Sequence, residues 1–437
     1  MTAGAPGGRL PERVDLVVIG GGICGAVCAA EAARRGATVL VVEKESDLAG
    51  EGSGRSFGSL RVQGRHPAET PLAVEAIELW AEATRRTGTA FDLVQGGNLY
   101  VAESEAEMVE LGRQLEQAKA AGLADVRLLA PDEVRQVVPC LEGRLAGGLL
   151  SARDGHCDPR KAVQAYAGLA TRHGARIALG TRALEVVTRG GSVTGVRTDR
   201  GAVAAGLVVV AAGVWTARLV RPLGLRVPIK TIIYPNGETS PLPPLFTATI
   251  RGFRFSCRQR PNGQLVVGAG LGTTVAHEVS LQDLRDARLW LPRYRANRRH
   301  VELRLRPARL LEDLRGLFGP PGAGVPVGVE PTPNPRLLER ALAALAERMP
   351  PVRDATLARA YAGLIDLSPD GLPVIERPRR PDGLVLLTGL SGHGLALAPV
   401  LGKILADLAL DGRTPHDIAP FRLARFDGPV PAPHRLV

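Results

Sequence analysis

A chain of 437 residues is too long for one simple core, and 45% hydrophobic with 23% charged residues is an ordinary globular balance that excludes a disordered or collagen-like protein. The net charge of +11 comes from scattered arginines with no aromatic stacking platform, so it does not point to nucleic acid. Five cysteines at irregular spacing (Cys24, Cys28, Cys140, Cys157 and Cys257) exclude a disulfide framework, and no apolar run reaches the ~18 residues of a membrane span. In chain order, residues 1–11 read as a disordered Gly/Pro tail without the basic and apolar regions of a signal peptide, and the expected location is the cytoplasm.

Residues 14–19, VDLVVI, are rich in β-branched side chains and suit a buried parallel strand. Gly20-Gly21-Gly22-Ile23-Cys24-Gly25 then matches G-x-G-x-x-G and opens an alanine-rich helix that Gly36 closes. A second strand, ATVLVVEK, ends in Glu43 and Lys44. The roles divide: Gly20 for a tight turn, Gly22 for approach of a pyrophosphate, Gly25 for helix–strand contact. The helix N-terminus presents N–H groups to phosphate, and Glu43 can accept both hydroxyls of an adenosine ribose. Cys24 and Cys28 stand four apart on this helix, but no further ligand completes a metal set, so they read as packing residues and no metal is expected.

Residues 47–66, DLAGEGSGRSFGSLRVQGRH, have no regular periodicity and can run along a long cofactor, offering Ser53, Arg55 and Ser59. An amphipathic helix, PLAVEAIELWAEATRR, follows, and then a helix over 104–122. Asp158 and Pro159 are the N-cap and N1 of a helix. His156 and Cys157, just before it, are explained by that cap. RIALGTRALEVVTRGG and the strands after it suggest an antiparallel meander turning at Gly190-Gly191 and Arg200-Gly201. FRFSCRQR and QLVVGAGL flank Pro261-Asn262-Gly263, a hairpin signal. RYRANRRHVELRLR suits a solvated helix face, residues 318–335 read as a long loop, and 334–349 as a helix. Near the C-terminus GLSGHGLALAP repeats the pattern of a glycine-rich turn running into an apolar helix.

The N-terminal turn, the 47–66 segment, GLVVVAAGVWTARL, AGLIDLSPDGLPVI and GLSGHG together resemble the D-amino-acid oxidase-like flavoenzymes, which include sarcosine oxidases, glycine oxidase and D-amino-acid dehydrogenases. The resemblance covers nearly the whole chain. It implies an α/β plus α+β protein with a glutathione-reductase-2-like FAD fold: a Rossmann-like domain (about 12–78, 150–225 and 358–437) interleaved with a mixed-sheet substrate domain (79–149 and 226–357). It implies FAD contacts at Ala183, at Ala212, Gly213 and Trp215, at Gly363, and at Gly389, Gly392, His393, Gly394 and Leu395, besides the residues of the first turn and the 47–66 segment. The second helix start would face the pyrimidine end of the flavin, where reduction builds negative charge. The implied chemistry is oxidation of a C–N bond by hydride transfer to flavin N5, giving an imine.

The chain departs from the family at three positions. Gly363 stands where sarcosine oxidases carry the cysteine that bonds the flavin, so FAD is expected to be non-covalent. Ala396, beside Leu395, replaces a substrate-binding lysine, and the lysine associated with oxygen is absent near Val266. A dehydrogenase becomes credible, with oxygen, a quinone or a partner subunit as acceptor. Arg61 is the leading candidate to bind a substrate carboxylate, with His393, Tyr361 and Arg258 as further catalytic candidates and Arg65 and His66 behind them. The rival readings are a flavin subunit of a larger amine or imino-acid dehydrogenase, a protein that holds FAD without turnover, and a nicotinamide enzyme. The long 47–66 segment and the second glycine turn argue against the last.

Overall fold

The computed structural model describes residues 8–428 apart from 271, 274, 280, 299–300, 306, 308–313 and 315–324. Two sheets organise them. The first has six strands in the order Val374–Glu376, Leu384–Thr388, Leu207–Val210, Leu16–Ile19, Val39–Val42, Arg176–Ala178. All its pairings are parallel except the outermost, between Val374–Glu376 and Leu384–Thr388. Its central strands read LVVI, VLVV and LVVV, continuous apolar runs, because helices or other strands cover both faces.

One face carries the helices Ile23–Arg34, Thr70–Thr87, Pro159–Arg172 and Gly394–Leu410 in a single apolar core. Trp80 anchors it: its ring meets Phe91 and Tyr166 edge-on at 5.6 and 5.9 Å, and its Nε1–H donates to the Ala396 carbonyl at 3.0 Å. The other face packs against the antiparallel meander Ala183–Arg189, Ser192–Thr198, Gly201–Ala204.

The second sheet has eight strands: Leu357–Leu367, Lys230–Pro241, Gln264–Ala269, Phe255–Gln259, Thr249–Arg251, Asn98–Ala102, Gly147–Ser151, Val126–Leu129. It is antiparallel except where Thr249–Arg251 runs parallel to Asn98–Ala102. The hairpin expected at Pro261-Asn262-Gly263 joins Phe255–Gln259 to Gln264–Ala269. The Asp158 carboxylate caps its helix by accepting from Lys161 N–H at 3.0 Å.

Several boundaries differ from expectation. Residue 78 falls inside the helix Thr70–Thr87, whose whole length packs beside the six-stranded sheet. Gly147–Ser151 and Leu357–Leu367 cross the expected breaks at 150 and 358 and belong to the eight-stranded sheet. RIALGTRALEVV divides at Leu179-Gly180: Arg176–Ala178 joins the parallel sheet and Ala183–Arg189 the meander. Residues 8–11 are not a free tail, since Arg200 and Arg176 donate to the Gly8 and Arg9 carbonyls at 2.8 and 2.9 Å; residues 1–7 lie outside the described residues. Within the arginine-rich stretch, 293–297 end a helix, with Arg293 buried, and Val301–Arg304 form a short strand; residues 299–300 and 306 lie outside the described residues. Of the expected long loop, residues 325–334 form no helix or strand, and 318–324 lie outside the described residues.

Candidate functional site

The first glycine turn joins Leu16–Ile19 to Ile23–Arg34. Gly20 has φ +114°, and a Cβ there would lie 2.4 Å from the Ala211 carbonyl oxygen; one at Gly25 would lie 2.0 Å from the Gly20 oxygen. Both positions therefore need glycine to let strand, turn and helix close on one another. Gly22 is the N-cap and supplies no side-chain cap. Ser53 Oγ, 3.0 Å from where a Gly22 Cβ would stand, accepts from Ile23 N–H at 3.0 Å. Glu43, at the end of the next strand, accepts from Gly21 N–H at 2.6 Å and Glu45 N–H at 2.9 Å. Each of its oxygens keeps a lone pair for a further donor. Burial pushes this carboxyl upward while the two backbone donors oppose the shift.

The residues after Leu207–Val210 approach the same turn. Trp215 donates to Glu51 Oε2 at 2.8 Å, and Lys44 pairs with Glu51 at 2.8 Å and sits 5.6 Å from the Trp215 ring centroid. Gly213 is held through its carbonyl by Thr388 Oγ1–H at 2.9 Å, and Ala212 precedes it. Ala183 is buried in the meander, two residues beyond Thr181, whose N–H donates to the Glu43 carbonyl at 2.8 Å.

The second glycine turn lies beside the first, although 370 residues separate Cys24 from Gly394: Cys24 Sγ is 3.8 Å from the Gly394 carbonyl oxygen. Gly389 and Gly392 have φ +65° and +82°. The Ser391 N–H donates to the Asp366 carbonyl, and His393 is the uncapped N-cap of the helix Gly394–Leu410. Leu395 is buried at its start. Two helix N-termini thus open side by side, one able to face phosphate and the other able to face charge built on a ring. Gly363 lies on Leu357–Leu367 opposite Tyr234, and a Cβ there would lie 3.1 Å from the Arg55 carbonyl oxygen. Arg55 itself donates to the Gly50 carbonyl at 2.8 Å, and its own carbonyl accepts from Asn236 Nδ2–H at 3.1 Å.

Near the eight-stranded sheet the structure gathers a set that sequence reasoning found only in part. Arg61 Nη1 donates to the Gln63 carbonyl at 2.5 Å and is 3.4 Å from the Tyr100 hydroxyl. Its neighbour is Arg251, at the end of Thr249–Arg251, which was not among the sequence candidates. Arg251 makes no hydrogen bond and no ion pair among the described residues, and its Nε is wholly enclosed. Its guanidinium lies 5.4 Å from the Phe57 ring centroid, and loss of water pulls its pKa down while Tyr100 and Tyr234 act the other way. Tyr234 donates to the Ala269 carbonyl at 3.2 Å. A cation inside the apolar strand TATIR was the available signal, since unpaired charge is rare in a sheet.

Behind Arg61 lies Arg65, whose Nε–H donates to the Arg61 carbonyl at 3.1 Å and whose Nη1 is 3.8 Å from Glu69 Oε2. Glu69 also meets His393 Nδ1 at 3.0 Å. Asp154 accepts from Val62 and Gln63 N–H groups, and burial pushes its carboxyl up to about 6. His66 is half-buried and its Nδ1 accepts from Ala68 N–H.

Two further catalytic candidates lie on the neighbouring strands, the Arg258 guanidinium 5.9 Å from the same Phe57 ring that Arg251 approaches. Arg258 is buried, its Nε–H bonds the Phe57 carbonyl, and its Nη2 would lie 2.5 Å from a Cβ at Gly58, so it supports that turn from within. Tyr361 is buried beside Arg258 and Arg359, with the Arg359 guanidinium 5.0 Å from its ring. His156 is consumed structurally: Nε2–H donates to the Gln259 carbonyl at 3.1 Å and Nδ1 accepts from Thr249 Oγ1–H at 3.2 Å. Ser59 Oγ is enclosed without a partner. No three His, Cys, Asp or Glu side chains group as metal ligands among the described residues, and no described helix is long and apolar enough to cross a membrane.

The residues present fit FAD: two uncapped helix starts in contact, glycines where any Cβ would strike backbone, and an acid at the end of the second strand. The family model for FAD dependent oxidoreductases matches residues 15–408. The chain is 30% identical over 359 residues to a D-amino acid dehydrogenase of Cereibacter sphaeroides, covering 78% of this chain and 67% of that one. It is 27% identical to the glycine oxidase of Geobacillus kaustophilus, over 96% and 99% of the two chains. The L-amino acid deaminase of Proteus myxofaciens has the same fold, with TM-score 0.87 at 20% identity over 98% of this chain and 96% of that one. The chain belongs to the FAD-dependent oxidoreductase family.

Proposed function

We propose that this protein oxidises the C–N bond of an amino acid or a carboxylate-bearing secondary amine to an imine. The observation that carries the reading is Arg251: a half-buried guanidinium with its Nε enclosed, beside Tyr100, Tyr234 and Arg61, with no acid paired to it among the described residues. A bidentate carboxylate supplies the missing partner. The surrounding charges agree. Arg61, Arg65 and Arg251 face Glu69 and Asp154, so one positive charge is left over near neutral pH. An amino acid in its reactive form, with carboxylate ionised and amine uncharged, cancels it. The D-amino acid dehydrogenase and glycine oxidase among its relatives are named for substrates of this kind.

Bound FAD accepts the two electrons of the substrate C–H bond. The chain's part is to hold that carbon and nitrogen beside the second glycine turn and to exclude water. The FAD is non-covalent. Gly363 offers no nucleophile, and Cys24, the cysteine beside the second turn, has its thiol held protonated by burial. Ala396 is buried and brings no cation to the start of the second helix. Without the two family lysines a dehydrogenase is favoured over a fast oxidase, with a quinone or partner subunit taking the electrons. The hydrogen cyanide synthase subunit of Pseudomonas aeruginosa, 25% identical, is a relative named as part of an assembly. The interleaved assignment follows the two sheets, with breaks moved to the ends of the helix at Thr87 and the strands at Ser151 and Leu367.

The test is anaerobic. Pools of D-amino, L-amino and N-methyl amino acids are added to the flavoprotein and the visible spectrum is followed; one pool bleaches it, and air admitted afterwards reoxidises it slowly. Arg251→Met lowers the apparent second-order rate of bleaching by about 100-fold, as expected for losing one partner of a desolvated charge pair. A variant that bleaches as fast as the parent removes Arg251 from the site, and a flavin that no pool bleaches overturns the function.

A further inference from the structure

His393, Glu69, Arg65 and Arg61 form one buried chain of contacts from the second glycine turn to the residues assigned to the substrate carboxylate. Glu69 is 0% exposed and is the N-cap of Thr70–Thr87; His393, 7% exposed, is the N-cap of Gly394–Leu410. The geometry settles which nitrogen of His393 carries hydrogen. Glu69 approaches Nδ1 with both oxygens, at 3.1 and 3.0 Å. Facing Arg65, Arg61 and His393, its carboxyl is held down to about 2, so it is ionised and can only accept. Nδ1 must therefore donate. Burial and the two arginines hold the imidazole down to about 4, so the ring is neutral and Nε2 has a bare lone pair. Nε2 has no hydrogen-bond partner among the described residues and is not enclosed.

Resting on the function proposed above, we propose that Glu69 is a positioning residue that fixes His393 as an acceptor at Nε2, so that it takes a hydrogen bond from the N–H of the substrate amine. The choice of tautomer matters because an uncharged amine has two faces to offer. Its N–H groups can donate, and its lone pair must swing into the new C=N bond as the C–H bond breaks. A ring with hydrogen on Nε2 would grip that lone pair and oppose the reaction. A ring with hydrogen on Nδ1 binds the N–H instead and leaves the pair free. No proton changes hands in this step: loss of hydride from the uncharged amine leaves an iminium, which still donates its N–H to Nε2 and gives up that proton only afterwards, to water. Arg65 completes the arrangement by helping to keep Glu69 ionised, its own Nη1, enclosed without a hydrogen bond, lying 3.8 Å from Glu69 Oε2.

Two measurements test this. In the holoprotein labelled with ¹⁵N-histidine, the resonances lost in His393→Asn should show a protonated Nδ1 and a bare Nε2, unchanged between pH 6 and pH 9. A protonated Nε2, or a titration within that range, overturns the proposal whatever the enzyme turns over. Glu69→Gln can turn its amide NH₂ toward Nδ1 and so move the ring hydrogen to Nε2. It should slow flavin reduction by a saturating amine at least about 10-fold. Binding of acetate, read from the flavin spectrum, should not weaken, because Arg251 is untouched and the loss of the Glu69 charge leaves the site more positive. Reduction at the parent rate in Glu69→Gln overturns the proposal. A parent protein that no amine reduces defeats the functional reading, while the histidine resonances still decide the tautomer.

Discussion

Gly363 and Cys24 bear on the same question from two sides. The first has no side chain and a Cβ position already 3.1 Å from the Arg55 carbonyl oxygen, and the second is a buried thiol kept protonated. Acid precipitation should therefore leave the yellow colour in the supernatant, and a coloured pellet would show that a covalent link exists. The first glycine turn was legible residue by residue, because each glycine answers a local backbone constraint that the spacing itself reveals. Arg61 was chosen for its place after the GS segment, and the fold sets it beside Tyr100 and Arg251. Arg251 was not, because its meaning depends on what surrounds it: nothing in TATIRGF says that Tyr100, Tyr234 and Arg61 converge there or that no carboxylate among the described residues pairs with its guanidinium. Arg258, chosen for its residue type, bonds the Phe57 carbonyl through Nε while its Nη2 is enclosed without a partner, a surrounding that the sequence does not show either.

Among the elements, the short strand Gly155–His156 shows how a small piece can join larger ones. It pairs with Ser59–Leu60 in the segment that leads toward the site, while the His156 ring bonds Thr249 and the Gln259 carbonyl in the eight-stranded sheet. Only a neutral ring can donate to a carbonyl and accept from a hydroxyl at once. Burial accordingly pulls its pKa down to about 3 from an ordinary 6.5. Below pH 6.5 the unfolded chain takes up a proton here that the folded one refuses, so the stabilisation is complete above that pH and falls away as pH drops toward 3. The melting temperature of His156→Gln should lie furthest below the parent at pH 7.5, with the gap narrowing at pH 5; a gap that widens on acidification would contradict the bonding scheme. The sequence reading explained His156 by the neighbouring helix cap, which is real but belongs to Asp158. Partners 93 and 103 residues away leave no local trace.

For the molecule as a whole, the strand and helix types were readable from periodicity, whereas the breaks between the two sheets were not. The helix Thr70–Thr87 and the strand Leu357–Leu367 run past the expected boundaries because each is one continuous hydrogen-bonded element, and the strand pairs with Lys230–Pro241 along its whole length. What binds the ends of the chain together is one crossing: a Cβ at Gly402 would lie 2.4 Å from Val27 Cγ1 and 2.9 Å from the Cys28 nitrogen. Gly402→Val should force the helices Ile23–Arg34 and Gly394–Leu410 apart, at a cost of about 1–3 kcal/mol by overpacking. It should also weaken FAD retention on gel filtration; full retention with unchanged melting would show that the two helix starts need no such contact. The same crossing sets a schedule for biosynthesis. A ribosome that has made the first glycine turn has made only half a cradle, and some 370 further residues must emerge before Gly394 can settle against Cys24. The flavin can be gripped by both helix starts only after translation has passed that point, so the cofactor must wait for the second start to be made.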